Sequence, residues 1–201
     1  AYSRALQSLE QLTQRLAADE GNHQLTVMRA SRAALAVQAG DESGDVAADL
    51  SAQTILGGKA LLKQVTIGFK DLPTPDAPRI HLALFVPANA PGPSPVFLGL
   101  NKCGNFTVLN EPAIVHDPDT WCHGNCPETP EAGRGVKEDF WCIPYLIERG
   151  YAFATYHESD IDPDKHDFSD GIHAAYPPTA GPDHRWGTIA AWSWGLRRCI
   201  D

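Results

Sequence analysis

The chain has 201 residues, enough for one domain with a substantial core, and its hydrophobic fraction of 43% and charged fraction of 20% match ordinary globular usage. A formal net charge of -9, spread over short acidic clusters, argues against nucleic acid as a partner, because phosphate binding wants dense Lys/Arg surfaces. No apolar run approaches the roughly 18 residues that a membrane helix requires. A neutral or sugar-like ligand suits this balance better, and no membrane partner is expected.

The chain starts Ala1-Tyr2-Ser3-Arg4 without a basic and then apolar leader, so any signal peptide is expected to have been removed or never to have been part of this sequence. Leu6, Leu9, Leu12 and Leu16 recur at helical spacing and predict an amphipathic helix over residues 3–18, stopped by 19–22. Residues 25–50 are Ala-rich and helix-tolerant, with Gly40, Asp41, Ser43 and Gly44 interrupting them as a loop would. Residues 1–55 therefore read as a helical preface or linker, and 56–201 as the start of a second unit.

Beyond residue 60 short β-prone runs take over, at 61–69, 80–86 and 96–100, separated by Pro- and Gly-rich punctuation. In the second run Ile80, Leu82, Leu84 and Val86 alternate with His81, Ala83 and Phe85, and the first two runs predict an antiparallel edge pair. Val96-Phe97-Leu98-Gly99-Leu100 is continuously apolar, as a central strand buried on both faces would be. The spacing then predicts a helix over 137–149 capped by Gly150, a strand over 151–156, a long loop over 157–185 and a helix over 187–201. This alternation implies α/β layering. The two loops at 101–136 and 157–185 are long for a compact domain and are expected near the active face.

Asn101, Lys102, Cys103 and Gly104 leave the apolar run in a sharp turn. That pattern fits backbone amides aimed at a developing oxyanion, although a simple tight turn is the commoner outcome of a glycine after a strand. Ala191-Trp192-Ser193-Trp194-Gly195 imitates a Gly-x-Ser-x-Gly elbow, but helical spacing surrounds Ser193 where an elbow needs a preceding strand, so Ser193 is not taken as a nucleophile. Residues 158–164 place carboxylates at alternate positions like the start of a calcium loop. The required glycine is replaced by Lys165, so a solvated acidic loop is the commoner outcome.

Cys122-His123-Gly124-Asn125-Cys126 carries zinc-type ligands with no second matching pair, and local disulfides or buried thiols among Cys103, Cys122, Cys126 and Cys142 fit better. No metal and no cofactor are expected. Of the eight histidines, His157 at a strand end is the best placed for a site, although a hydrogen-bonded structural role suits it better. Trp186, Trp192 and Trp194 offer faces for a sugar ring or a lignin-like aromatic group, with core packing the default for at least two.

Three stretches in order, Leu98-Gly-Leu-Asn-Lys-Cys-Gly-Asn-Phe-Thr-Val108, Tyr145-Leu-Ile-Glu-Arg-Gly-Tyr-Ala-Phe-Ala-Thr155 and Glu158-Ser-Asp-Ile-Asp-Pro-Asp164, together resemble glucuronoyl esterases of carbohydrate esterase family fifteen. The closing run from Trp186 to Asp201 is similar to the family helix ahead of the nucleophile strand. The resemblance covers roughly residues 60 to 201 and implies the amino-terminal portion of a three-layer α/β-hydrolase sandwich. It implies a secreted or periplasmic serine esterase acting on a glucuronoxylan–lignin type ester, with acetyl xylan esterase or a non-catalytic carbohydrate-binding or metal-stabilised module as alternatives.

The family's serine elbow, its neighbouring arginine, its histidine and its acid match no position here, so the 201-residue segment alone is expected to be inactive. What the resemblance implies for this chain is a loop facing the oxyanion (Asn101, Lys102, Cys103, Gly104) and a cleft wall comprising Asn105, His157, Asp160, Asp162 and Trp186. Cys103 and the Cys122/Cys126 pair depart from the family's usual pattern.

Overall fold

The structure, a computed structural model, describes residues 45–69, 77–176 and 186–200, with side chains from residue 51 onward. The helix expected over 3–18 and most of the Ala-rich stretch lie outside these residues. Five strands form one mixed sheet: β1 (Asp45–Ile55), β2 (Ala60–Phe69), β3 (Ile80–Pro87), β4 (Val96–Asn101) and β5 (Ala152–His157), in the order β1-β2-β3-β5-β4. β1 to β2, β2 to β3 and β3 to β5 pair antiparallel, whereas β4 and β5 run parallel. The helices are α1 (Pro130–Gly133), α2 (Glu138–Trp141), α3 (Ile143–Glu148), α4 (Gly171–Ala175) and α5 (Thr188–Arg198).

The alternation in β3 distributes its side chains between two apolar clusters. Ala83 and Phe85 join Leu62, Phe106, Val108, Ile143 and Phe153 in one cluster. Ile80 and Leu82 join Ile67, Ala154, Tyr156, Ile172 and Ala191 in the other. Successive residues of a strand point to opposite faces, so the sheet is covered on both sides, by α3 on one and by α4 and α5 on the other. Phe85 is 0% exposed and Phe106 2%, and complete burial of one phenylalanine stabilises by roughly 1.5–3 kcal/mol.

Several expectations change. Residues 45–55 form strand β1 rather than a helical preface or linker, because they pair along β2 from Asp45↔Phe69 to Ile55↔Ala60. The antiparallel β2–β3 pair is as expected, but β1 takes its outer edge. β4 is the end strand of the described sheet rather than a central one, with Val96 55% and Phe97 52% exposed, because among the described residues it hydrogen-bonds only to β5. The helix expected over 137–149 is two helices. Cys142 breaks it at φ 50, two residues before Pro144, whose ring and missing N–H cannot continue a helix interior. Gly150 caps the second helix as expected: its N–H bonds Ile147 O and that of Tyr151 bonds Leu146 O, both at 3.0 Å, which is the Schellman arrangement.

Candidate active site

The parallel pair β4 and β5 ends in register, Asn101 beside His157, and both chains then leave the sheet at its carboxyl end. Ligands of open α/β sheets bind outside the carboxyl ends of parallel strands, and the two strand ends and the loops after them hold every site residue expected from sequence except Trp186. Asn101 is 1% exposed, and its Nδ2 donates to Asn105 Oδ1 at 2.7 Å and to Thr155 Oγ1 at 3.0 Å. Asn105 Nδ2 donates in turn to the backbone carbonyl of His81 at 2.6 Å. Gly104 turns the loop at φ 84 and ψ 151, a conformation that a side chain disfavours, and its carbonyl accepts from Thr107 Oγ1 at 2.8 Å.

A Cys103–Cys126 disulfide ties this turn to the excursion over 110–129. The clustering of cysteines therefore does yield a local disulfide, and Cys126 is no longer a thiolate for zinc. Among the described residues no group of three or more His, Cys, Asp or Glu is arranged to hold a metal ion.

The loop after β5 is not a solvated acidic loop. A short 3₁₀ turn at Glu158–Asp160 folds the chain back, and Glu158, Asp160 and Asp162 are 6%, 8% and 0% exposed. Buried carboxylates need partners, and for Asp160 and Asp162 distant residues supply them to at least one oxygen. Asp160 accepts from the His81 backbone N–H at 2.7 Å through one oxygen, while the other faces His81 Nδ1 at 3.3 Å. Asp162 Oδ1 faces His173 Nδ1 at 2.8 Å, and His173 Nε2 donates to Trp186 O at 2.7 Å. The Trp192 indole N–H donates to Asp162 O at 2.8 Å, and the Tyr156 hydroxyl to Trp192 O at 3.0 Å, so α5 is fastened to the same loop.

Two contacts join the loops to each other. His157 Nε2 donates to Lys102 O at 2.9 Å, and burial holds its imidazole below the usual range. At the surface Lys102 Nζ meets Asp164 Oδ2 at 3.1 Å. Near them burial, and then the charge of Asp164, push the Glu158 carboxyl up to about 7 against the opposing pull of Lys102. Glu158 Oε1 has no hydrogen-bond partner among the described residues.

The structure thus brings Asn101, Lys102, Cys103, Gly104, Asn105, His157, Asp160 and Asp162 together. Trp186 lies to one side, half-buried, its ring 5.6 Å from that of His173 and 6.4 Å from that of Trp194. Ser193 sits on the exposed side of α5 with Oγ bonded to Ile189 O at 2.8 Å, a helix-surface hydroxyl tied to its own helix. Sequence reasoning missed His81 and His173. The one usable signal was His81 at the end of an alternating strand, in a slot where its neighbours are apolar.

Known proteins resemble this chain in sequence and in fold. No family model matches the chain. A protein described as carbohydrate esterase MZ0003, from an unknown prokaryotic organism, is 38% identical over 162 residues, which cover 76% of this chain and 37% of that protein. A glucuronoyl esterase from Solibacter usitatus superposes with a TM-score of 0.65 at 32% identity, over 77% of this chain and 40% of that one. A promiscuous CE15 esterase from a marine bacterial metagenome does so with a TM-score of 0.65 at 37% identity, over 79% and 41%. The chain spans 37% to 41% of the length of these three relatives. The chain is therefore glucuronoyl esterase-like, related to carbohydrate esterase family fifteen over the portion of those proteins that it spans.

Proposed function

We propose that the protein containing this chain is a secreted or periplasmic carboxylic-ester hydrolase of plant-wall carbohydrate. In this reading it cleaves glucuronoyl esters of the glucuronoxylan–lignin type by serine acylation and deacylation, within a three-layer α/β-hydrolase sandwich. The observation that carries the reading is the pair of interlocked loops at the carboxyl ends of β4 and β5, in a chain whose sequence and fold are those of glucuronoyl esterase-like proteins.

The nucleophile belongs outside residues 1–201 in this reading. Ser193, the one serine in an elbow-like context, is a helix-surface residue bonded to its own helix. The one-sided pairing of β4, with Val96 and Phe97 exposed, supports a sheet that continues past β4 with the strand that bears the serine. Residues 101–104 would then face the oxyanion, and Asn105, His157, Asp160 and Asp162 would wall or support the cleft.

The test is hydrolysis of benzyl or methyl glucuronate ester by the full-length protein and by the 201-residue segment. Turnover by the full-length protein alone is expected. Turnover by the segment alone contradicts a nucleophile lying beyond it.

A further inference from the structure

His81, at this end of the sheet, faces both ways. Its inner side is fixed: the backbone N–H and Nδ1 both engage the carboxylate of Asp160, whose side chain is 2% exposed, and its carbonyl accepts from Asn105 of the loop after β4. Its outer side is open: 39% of the side chain is exposed, and Nε2 makes no hydrogen bond among the described residues. On β3 it follows Phe85 and Ala83 along one face, so it stands where the apolar cluster of Phe106 and Val108 gives way to the polar loops.

A carboxylate on Nδ1 fixes the imidazole tautomer and its direction, and leaves the Nε2 lone pair as an outward acceptor. The charged groups acting on the ring are Asp160, Asp117 and Arg79, and the Asp160 hydrogen bond dominates and raises its basicity. His116 and His157 complete the surroundings, since His81 and His116 both act on His157. Neither ring form loses its use, because the neutral ring accepts a hydrogen bond at Nε2 and the cation donates one. A sugar hydroxyl, being both donor and acceptor, answers either form.

We infer that His81 is a substrate-binding residue whose Nε2 hydrogen-bonds a hydroxyl of the sugar ring carried by the ester. This rests on the ester-hydrolase reading above and adds a contact from β3, a strand outside both cleft loops. The role is binding rather than chemistry, so it affects KM and leaves kcat alone.

Three forms of the full-length protein test it with methyl glucuronate ester. His81→Asn keeps an amide where Nδ1 meets Asp160 but removes the outer nitrogen; it is expected to melt with the wild type and to raise KM by about 3- to 10-fold at unchanged kcat, the effect of one lost hydrogen bond. His81→Gln, whose amide reaches the Nε2 position, is expected to restore most of that loss. An unchanged KM in an active His81→Asn protein overturns the inference alone. So does a joint fall of kcat and melting temperature in both variants, which would make the imidazole a purely structural strut. Absence of esterase turnover in the wild type removes the reading beneath the inference and the inference with it.

Discussion

The loops that leave β4 and β5 start side by side, yet they are held by different chemistry. The first is fixed by neutral groups and a covalent link: the Asn101 and Asn105 amides, the Gly104 turn and the Cys103–Cys126 disulfide. The second is fixed by buried carboxylates set against imidazoles, Asp160 with His81 and Asp162 with His173. A loop of the second kind is sensitive to loss of either partner, because a buried polar group without its mate keeps its desolvation cost.

The contrast can be broken most strongly at the disulfide. Replacing Cys103 and Cys126 together by serine frees a loop whose ends are 23 residues apart in sequence, and such a cross-link contributes about 3 kcal/mol. Chemical denaturation of the full-length protein should show that loss, and reductant should reproduce it in the wild type. A midpoint indifferent to both changes removes the covalent half of the comparison.

Asp162→Ala tests the second loop and should cost about 2–3 kcal/mol, since it leaves the buried Nδ1 of His173 without an acceptor. Asp162→Ala and His173→Ala should also be non-additive in a double-mutant cycle, and additive losses would show that the pair does not act as a unit.

A third test is a pH slope. Glu158 has a folded value raised from 4.5 to about 7, so the folded state holds a proton that the unfolded chain gives up. Stability from this group is fully present below about 4.5 and is lost as pH rises toward about 7. Stability measured between those two pH values should therefore fall less steeply in Glu158→Gln than in the wild type. Parallel curves would mean that the carboxyl titrates normally.

Much of the scaffold was legible because its cues are local. The alternation in 80–86 marks β3, the apolar run at 96–100 marks β4, and Gly150 marks the end of α3. The break at Cys142 was readable from Pro144, which cannot sit in the interior of one continuous helix. The rank of β4 in the sheet was not readable, because an apolar strand looks the same whether one edge or both are paired. The state of the acidic loop was hidden for a related reason. What buries Asp160 is His81, 79 residues earlier in the chain, and alternating carboxylates carry no mark of such a partner. The clustering of cysteines was visible, while the choice of Cys126 over Cys122 as partner of Cys103 came only with the fold.

The proposal that the full-length protein is a glucuronoyl ester hydrolase is tested most directly by competition between substrate classes. The kcat/KM of the full-length protein should be measured on methyl glucuronate ester and on acetylated xylan under one set of conditions. A clear preference for the glucuronate ester is expected. Preference for the acetyl ester, or turnover of neither, would contradict it.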